Sequence, residues 1–235
     1  MKNSPRATTT ESMDHPEFGG EELDHVLRDL DKVNRLLFNY FYVTKAVLKL
    51  IKSQPTKEVV IMDLGCGGGG HLRHLANACR SINQPAKFIG IDHNLQVLDW
   101  AQEHSKAFPE ITFLQHDATA VDYKIPACDI LISSHFLYHF ENDALLDKLK
   151  TWLPLVRTSI LISSLHRSKL GALLFNVTTK LLRFHPISRS DGQSALDASF
   201  TKTELESILK PTFANRLKIK RRPFFRIITE IRHAL

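Results

Sequence analysis

The sequence predicts an α/β protein: seven strands in one mostly parallel sheet with an antiparallel edge strand, preceded by an N-terminal helical cap. Two observations carry that expectation. Short apolar runs alternate with amphipathic stretches of helical length along the 235 residues, which is how successive strand–helix units lay parallel strands side by side. The first run, Val59-Val60-Ile61-Met62, passes through Asp63 into Gly65-Cys66-Gly67-Gly68-Gly69-Gly70, the pattern of a buried strand delivering a tight turn to the carboxyl edge of such a sheet. Apolar residues make up 43%, enough for one large core, and no apolar run approaches the ~18 residues of a membrane span. The polar start Met1-Lys2-Asn3-Ser4-Pro5 does not read as a signal peptide, so a cytoplasmic protein is expected. Cys66, Cys79 and Cys128 are too far apart for a metal-binding pair, and no metal is expected.

Taken in order, residues 1–19 are polar, with Pro5, Pro16 and Gly19, and should form a loose arm or partly ordered lid. The cap spans 20–54: Leu23, Val26, Leu27 and Leu30 share one face of a first helix, and a second apolar stretch covers 36–51. The core spans 55–235. After the first strand, Leu72, Leu75, Ala76, Cys79 and Ile82 recur at helical spacing over 71–83. Lys87-Phe88-Ile89-Gly90-Ile91-Asp92 is the second strand, 95–108 a helix and 111–117 the third strand. Cys128-Asp129-Ile130-Leu131-Ile132-Ser133-Ser134 is the fourth, followed by a helix over 143–153 and a fifth strand over 158–164. The amphipathic run 169–183 belongs to a helical insertion near 167–199. Thr201-Lys202-Thr203-Glu204 is a capping box opening a helix to Leu209, with Pro211 expected just beyond its end. The last two strands, over 216–220 and 224–231, pair like a hairpin at the sheet edge.

The glycines sit where a strand meets a helix N-terminus, so amides point at whatever enters the turn, and the absence of Cβ atoms lets it come close. A nucleotide-like ligand is expected. Gly65, Gly67 and Gly70 also satisfy the G-x-G-x-x-G dinucleotide spacing, which alone is weak. Asp63 decides, because a carboxylate there repels a pyrophosphate and suits a ligand carrying an ammonium and a sulfonium. Asp92, closing the second strand, can accept from both hydroxyls of a ribose. Asp117, after the third, can accept from an adenine amino group while the neighbouring amide of Ala118 meets a ring nitrogen.

The string Asp63-x-Gly65-x-Gly67-x-Gly69, with acids closing three successive strands, resembles class I S-adenosylmethionine (SAM)-dependent methyltransferases over roughly the whole chain. Met13-Asp14, Val33-Asn34-Arg35, Leu165-His166-Arg167-Ser168, Asp191-Gly192 and Ser199-Phe200-Thr201 further resemble a bacterial subfamily associated with type III polyketide or aryl-lipid pigment biosynthesis. Ser163-Ser164 departs from the Asn-Asp pair expected there. The resemblance implies a Rossmann-like methyltransferase fold with SAM as cofactor. Asp63, Gly65, Cys66, Gly67 and Gly69 would surround its methionyl part, Asp92 with His93 the ribose, and Asp117 with Ala118 the adenine. Ser133 and Ser134 would offer backbone near the methionyl group. Methyl transfer is an in-line displacement that depends on alignment, and a phenol or acid acceptor gains from losing its proton to a base such as histidine. Of twelve histidines, His139 is the first candidate because it follows the fourth strand at the edge where the methyl emerges, with His135 and His166 next. A histidine hydrogen-bonded within its loop fits each position equally well.

Charge is unevenly placed. From Leu165 onward there are fourteen Lys/Arg against five Asp/Glu, net +9, leaving the rest of the chain at net −3. Five of the seven residues over 216–222 are basic, a pattern open to nucleic acid, an anionic membrane or a solvated strand face. The rival functions are a nucleic-acid methyltransferase, an NAD-dependent reductase and a non-catalytic SAM-binding module. Against the first, Ser133-Ser134-His135-Phe136 lacks the Asn/Asp-Pro-Pro-aromatic stretch that grips an exocyclic amine; Asp63 opposes the second. The expected acceptor is a small lipophilic aromatic or polyketide-derived hydroxyl. Leu170, Leu173, Leu174, Phe175, Val177, Leu181 and Phe184 are more apolar than one helix face requires, and Lys169, Lys180 and Arg183 give a basic margin suited to a phenolate or to peripheral contact with an anionic membrane.

Overall fold

The computed structural model describes residues 6–7, 11–15, 17–53, 58–120 and 125–233. Met1 to Pro5, Pro16 and the boundary at Pro55 and Lys57 lie outside the described residues. The strands are β1 (Val59–Leu64), β2 (Ala86–Asp92), β3 (Ile111–Gln115), β4 (Cys128–Ser134), β5 (Val156–Leu165), β6 (Leu217–Arg222) and β7 (Arg226–Arg232). They form one sheet in the order β3-β2-β1-β4-β5-β7-β6. The first five run parallel, and β7 lies antiparallel to both neighbours, one strand in from the edge that β6 provides. Chain order reverses between β1 and β4, which opens a crevice at their carboxyl ends.

Helices α1 (Gly20–Leu36) and α2 (Asn39–Ser53) form the cap; α3 (Gly70–Ser81), α4 (Leu95–His104), α5 (Asn142–Trp152), α6 (Lys169–Leu181), α7 (Pro186–Ala198) and α8 (Lys202–Phe213) complete the layers. Consecutive strand residues serve opposite cores. Ile61 packs with Val47, Leu72 and Leu75 of α2 and α3, while Met62 packs with Leu149, Trp152 and Leu209 of α5 and α8. With both faces covered, β1 from Val59 to Met62 and the centre of β4 from Ile130 to Ile132 are apolar without alternation, which is why they read as continuous runs.

Most boundaries shift by one or two residues from expectation, and three differences have a visible physical reason. The helix after β2 stops at His104 rather than 108, because Ser105 and Phe108 form successive turns ahead of Pro109, and a residue before proline avoids the helical region. The third strand ends at Gln115, and Asp117 instead opens a turn, accepting from the Thr119 amide at 2.8 Å. α8 continues through Pro211 to Phe213. The lost proline N–H is tolerated in this last turn since Leu205, Leu209 and Phe213, one turn apart, are all buried on one side. No described helix is long and apolar enough to cross a membrane.

Candidate active site

The glycine turn after β1 has the backbone that its residues permit. Gly65, Gly67 and Gly69 have φ of +68°, +50° and +70°, in the left-handed region. A Cβ at Gly65 would stand 2.8 Å from the Phe136 ring, whereas nothing lies within 4 Å of the corresponding point at Gly67. The turn is fastened from β2: Asp92 Oδ2 accepts from the Gly67 amide at 2.9 Å and Oδ1 from the Asn94 amide at 3.2 Å. Asp63, at the top of β1, is buried and its Oδ1 has no hydrogen-bond partner. Burial, with the Asp92 charge adding to it, pushes the Asp63 carboxyl well above its ordinary range.

A cavity extends from this turn across the crevice. Asp63, Gly65, Cys66, Gly67, Ser134 and His135 line it from the sheet; Leu30, Val33, Asn34, Leu37 and Tyr40 close it from the cap; Phe175, Phe184, Asp191 and Ala195 come from the α6–α7 region. His71, Leu165 and Arg226 complete its far wall. The other residues named from sequence, Gly69, Asp92, His93, Asp117, Ala118, Ser133, His139 and His166, are not among the lining. Ser133 Oγ donates to the Leu64 carbonyl at 2.9 Å, and exposed Asp117 is taken up by Thr119.

Residues 61–157 match the family model for a methyltransferase domain. Among solved structures, the plantazolicin methyltransferase BpumL in complex with SAH aligns with a TM-score of 0.68 at 14% identity, covering 89% of each chain. Magnesium protoporphyrin IX methyltransferase (ChlM) from Synechocystis PCC 6803 with bound SAM aligns at 0.61 and 15% identity, over 98% of this chain and 100% of that one. This is the methyltransferase fold. Curated relatives include carboxy-S-adenosyl-L-methionine synthases: that of Pasteurella multocida (strain Pm70) is 25% identical over 187 residues, 77% of this chain and 74% of the relative. That of Helicobacter pylori (strain P12) is 24% identical over 172 residues, 73% of this chain and 68% of the relative.

Within this methyltransferase fold, several cavity groups carry no contiguous sequence signal. His71, second residue of α3, is buried with Nε2 unpartnered; burial, then the Arg226 and His74 charges, lower its proton affinity to a pKa of about 3. His135 has φ of +57°, and its imidazole Nε2 lies 2.9 Å from Arg226 Nη1. Burial and Arg226 together push its proton affinity far down. His139 is turned toward the N-terminal arm, its Nδ1 3.6 Å from Asp14 Oδ2, and His166 donates its amide to the Phe225 carbonyl.

The arm itself straps the cavity. Arg6 donates to the Ala198, Tyr138 and Phe140 carbonyls, and its guanidinium lies over Phe200. Ser12 donates amide and hydroxyl to Asp191 Oδ1, and His93 Nε2 meets the Asp14 carbonyl at 3.0 Å. Glu11 is buried, accepts from the Tyr138 hydroxyl at 2.5 Å, and has its pKa raised to about 8 by burial, with the Asp14 and Asp191 charges adding to the shift. The sequence expected an arm or lid here; the alternation of Arg6, Glu11 and Asp14 with small polar residues gave no sign of which contacts would hold it.

Proposed function

We propose that the protein is a SAM-dependent methyltransferase that methylates a hydroxyl of a small, lipophilic aromatic or polyketide-derived acceptor. One observation carries the reading: a single cavity joins the glycine turn and Asp63, whose Oδ1 is unpartnered, to a wall of Leu30, Val33, Leu37, Leu165, Phe175 and Phe184. The turn end fits SAM. A buried acid with an unpartnered oxygen suits a cationic ligand group, and Gly67 leaves open space where a side chain would intrude. When bound, SAM supplies an electrophilic methyl group for in-line displacement at sulfur. The chain's own contribution is alignment and exclusion of water by the cap, the arm and the α6–α7 wall. The neutral, unpartnered Nε2 of His71 suits a hydrogen bond from the acceptor hydroxyl, while His139 lies beside Asp14 of the arm.

The outward side of α6 extends the same reading. Leu170, Leu173, Val177 and Leu181 are 57%, 60%, 56% and 79% exposed beside Lys169 and Lys180. This face suits peripheral contact with an anionic membrane that dissolves a lipophilic acceptor. The curated relatives favour a second reading, in which the product is a carboxylated form of the cofactor.

Titration calorimetry with SAM, S-adenosylhomocysteine (SAH) and NADH, followed by mass spectrometry of the products from an alkylresorcinol, a short RNA and a DNA duplex at two salt concentrations, tests these readings. Heat with SAM and SAH but not NADH, and a methylated phenol, are expected. No heat with SAM rejects the cofactor; salt-sensitive methylation of RNA without the phenol rejects the small-molecule acceptor. In a further arm with a carboxylic acid added as carboxyl donor, a carboxylated sulfonium product, its methyl having lost a proton and gained the carboxyl group, establishes the second reading.

A further inference from the structure

Arg226 opens β7 with its side chain 1% exposed, yet it borders the cavity. Its recorded hydrogen-bond partners are neutral. Nη1 donates to His135 Nε2 at 2.9 Å and to Ser163 Oγ at 3.3 Å, and Nε is buried with no partner. A guanidinium has no acceptor atom, so His135 must keep its proton on Nδ1 and stay uncharged. Asn39 Nδ2 approaches the same Nε2 at 3.4 Å, and Asn39 Oδ1 accepts from Ser163 Oγ at 2.6 Å. The network around the cation therefore engages Nη1 and leaves Nε unpaired. Among the described residues no carboxylate pairs with it; the ionisable neighbour that favours its charge is the Tyr42 phenol. A buried guanidinium left without an anion is costly, and the Nε–Nη2 edge of arginine is a planar fork matched to the two oxygens of a carboxylate.

Position assigns the source of that carboxylate. Arg226 pairs with Leu165 at the end of β5, and β4 and β5 stand between its strand and β1, which carries Asp63. The cation thus lies across the cavity from the turn that fits SAM. We propose that Arg226 is the docking group for a carboxylate on the acceptor, so that the substrate is a hydroxyaryl acid rather than a neutral phenol. The proposal rests on the cavity being the acceptor site. The α-carboxylate of SAM is the other source of the same chemistry, and the test separates the two.

SAH-loaded protein is titrated with 2,4-dihydroxy-6-pentylbenzoic acid, its carboxamide and 5-pentylresorcinol. The acid should bind at least tenfold more tightly than either neutral compound. Arg226→Gln should shrink that gap to under twofold with SAH affinity unchanged within twofold, and Arg226→Lys, which keeps the charge but loses the fork, should fall between. Equal binding of all three compounds by the wild type, or binding of none, overturns the proposal. So does a tenfold loss of SAH affinity in Arg226→Gln with the acid preference kept, which assigns the guanidinium to the cofactor. If Arg226→Gln does not fold, the wild-type comparison of acid with carboxamide decides alone. Acid preference without any methyl transfer rejects the proposed reaction and leaves Arg226 as a carboxylate receptor.

Discussion

At the β1–β2 end of the cavity, the turn and its fastening come from one contiguous string and one strand end, 25 residues apart at Gly67 and Asp92. At the β5–β7 end, partners separated by 63, 91 and 124 residues converge on Ser163, His135 and Arg226. The two ends also carry unmatched groups of opposite kind: the Asp63 carboxyl has an oxygen without a partner, and the Arg226 guanidinium has neutral partners among the described residues. Neutral imidazoles, His71 and His135, line the cavity along with these two, and the other charged groups on its wall, Asp29, Asp31, Arg73 and Asp191 among them, are held by hydrogen bonds within the fold. Keeping an acid and a guanidinium buried and apart costs the fold stability, and the proposed ligands would offset that cost at each end.

The sharpest way to break this contrast is Asp63→Asn. Removing a buried carboxyl whose Oδ1 lacks a partner and whose ionisation burial penalises should raise the melting temperature of the free protein. SAM affinity should fall by about 1.5–3 kcal/mol, the range for a hydrogen bond to a charged group. Calorimetry and thermal unfolding read the two changes separately. A variant that loses stability along with affinity would mean that the charge has a partner in the fold.

How much of each end was legible follows from the same contrast. The string Asp63 to Gly70 announces strand, turn and helix because its signals are local: apolar run, acid, positive-φ glycines, helical spacing. Arg226 could be read only as one of fourteen basic residues in the C-terminal part, since nothing near it in sequence distinguishes it from exposed Arg221 and Arg222. Its burial is decided by the antiparallel insertion of β7 between β5 and β6. The loop after β4 was ambiguous for a related reason. The positive φ of His135 and the 3-10 turn Leu137–His139 direct His135 into the cavity and His139 toward Asp14, and four residues of spacing do not reveal which ring faces which way.

Gly65→Ala probes the turn end sterically. A Cβ there meets Phe136 at 2.8 Å and a φ of +68° that side chains disfavour, with a cost of roughly 1–2 kcal/mol from the left-handed conformation alone. Chemical denaturation should show that loss, accompanied by weaker SAM binding. At Gly67, where space is open, alanine should cost a similar amount of stability from its φ of +50° without the Phe136 clash, so the difference between the variants measures the contact.

The arm over the cavity offers a pH test. Glu11 has its pKa raised to about 8, so between the ordinary carboxyl range near 4.5 and that value the folded protein holds a proton that the unfolded chain releases. Its contribution is fully present below about 4.5 and is lost as pH rises through 8. Between pH 7 and 9 the melting temperature should fall by roughly 2–4 °C, equivalent to about 1 kcal/mol for a chain of this size, with faster amide exchange over 11–15. Glu11→Gln should flatten both trends; an unaltered pH profile in that variant would place the titration elsewhere.

The smallest effect on stability is expected on the outside of the acceptor end. Leu173 and Leu181 are 60% and 79% exposed, so Leu173→Gln with Leu181→Gln should change stability by no more than ~0.5 kcal/mol. Their effect belongs to partition instead. α6 presents Leu170, Leu173, Val177 and Leu181 outward while Phe175 of the same helix lines the cavity, so a membrane held against the outer face lies one helix thickness from the acceptor wall. Cosedimentation with vesicles rich in anionic lipid should drop several-fold in the double variant, and raising salt should weaken the wild type by screening Lys169, Lys180 and Arg183. Turnover of a long-chain acceptor dissolved in those vesicles should fall in parallel, while a short-chain acceptor in free solution should be converted as before. If vesicle binding is unchanged and the wild type sediments as a dimer that the variant loses, the apolar face is covered by a second copy of the chain, and lipophilic acceptors reach the Arg226 end directly from water.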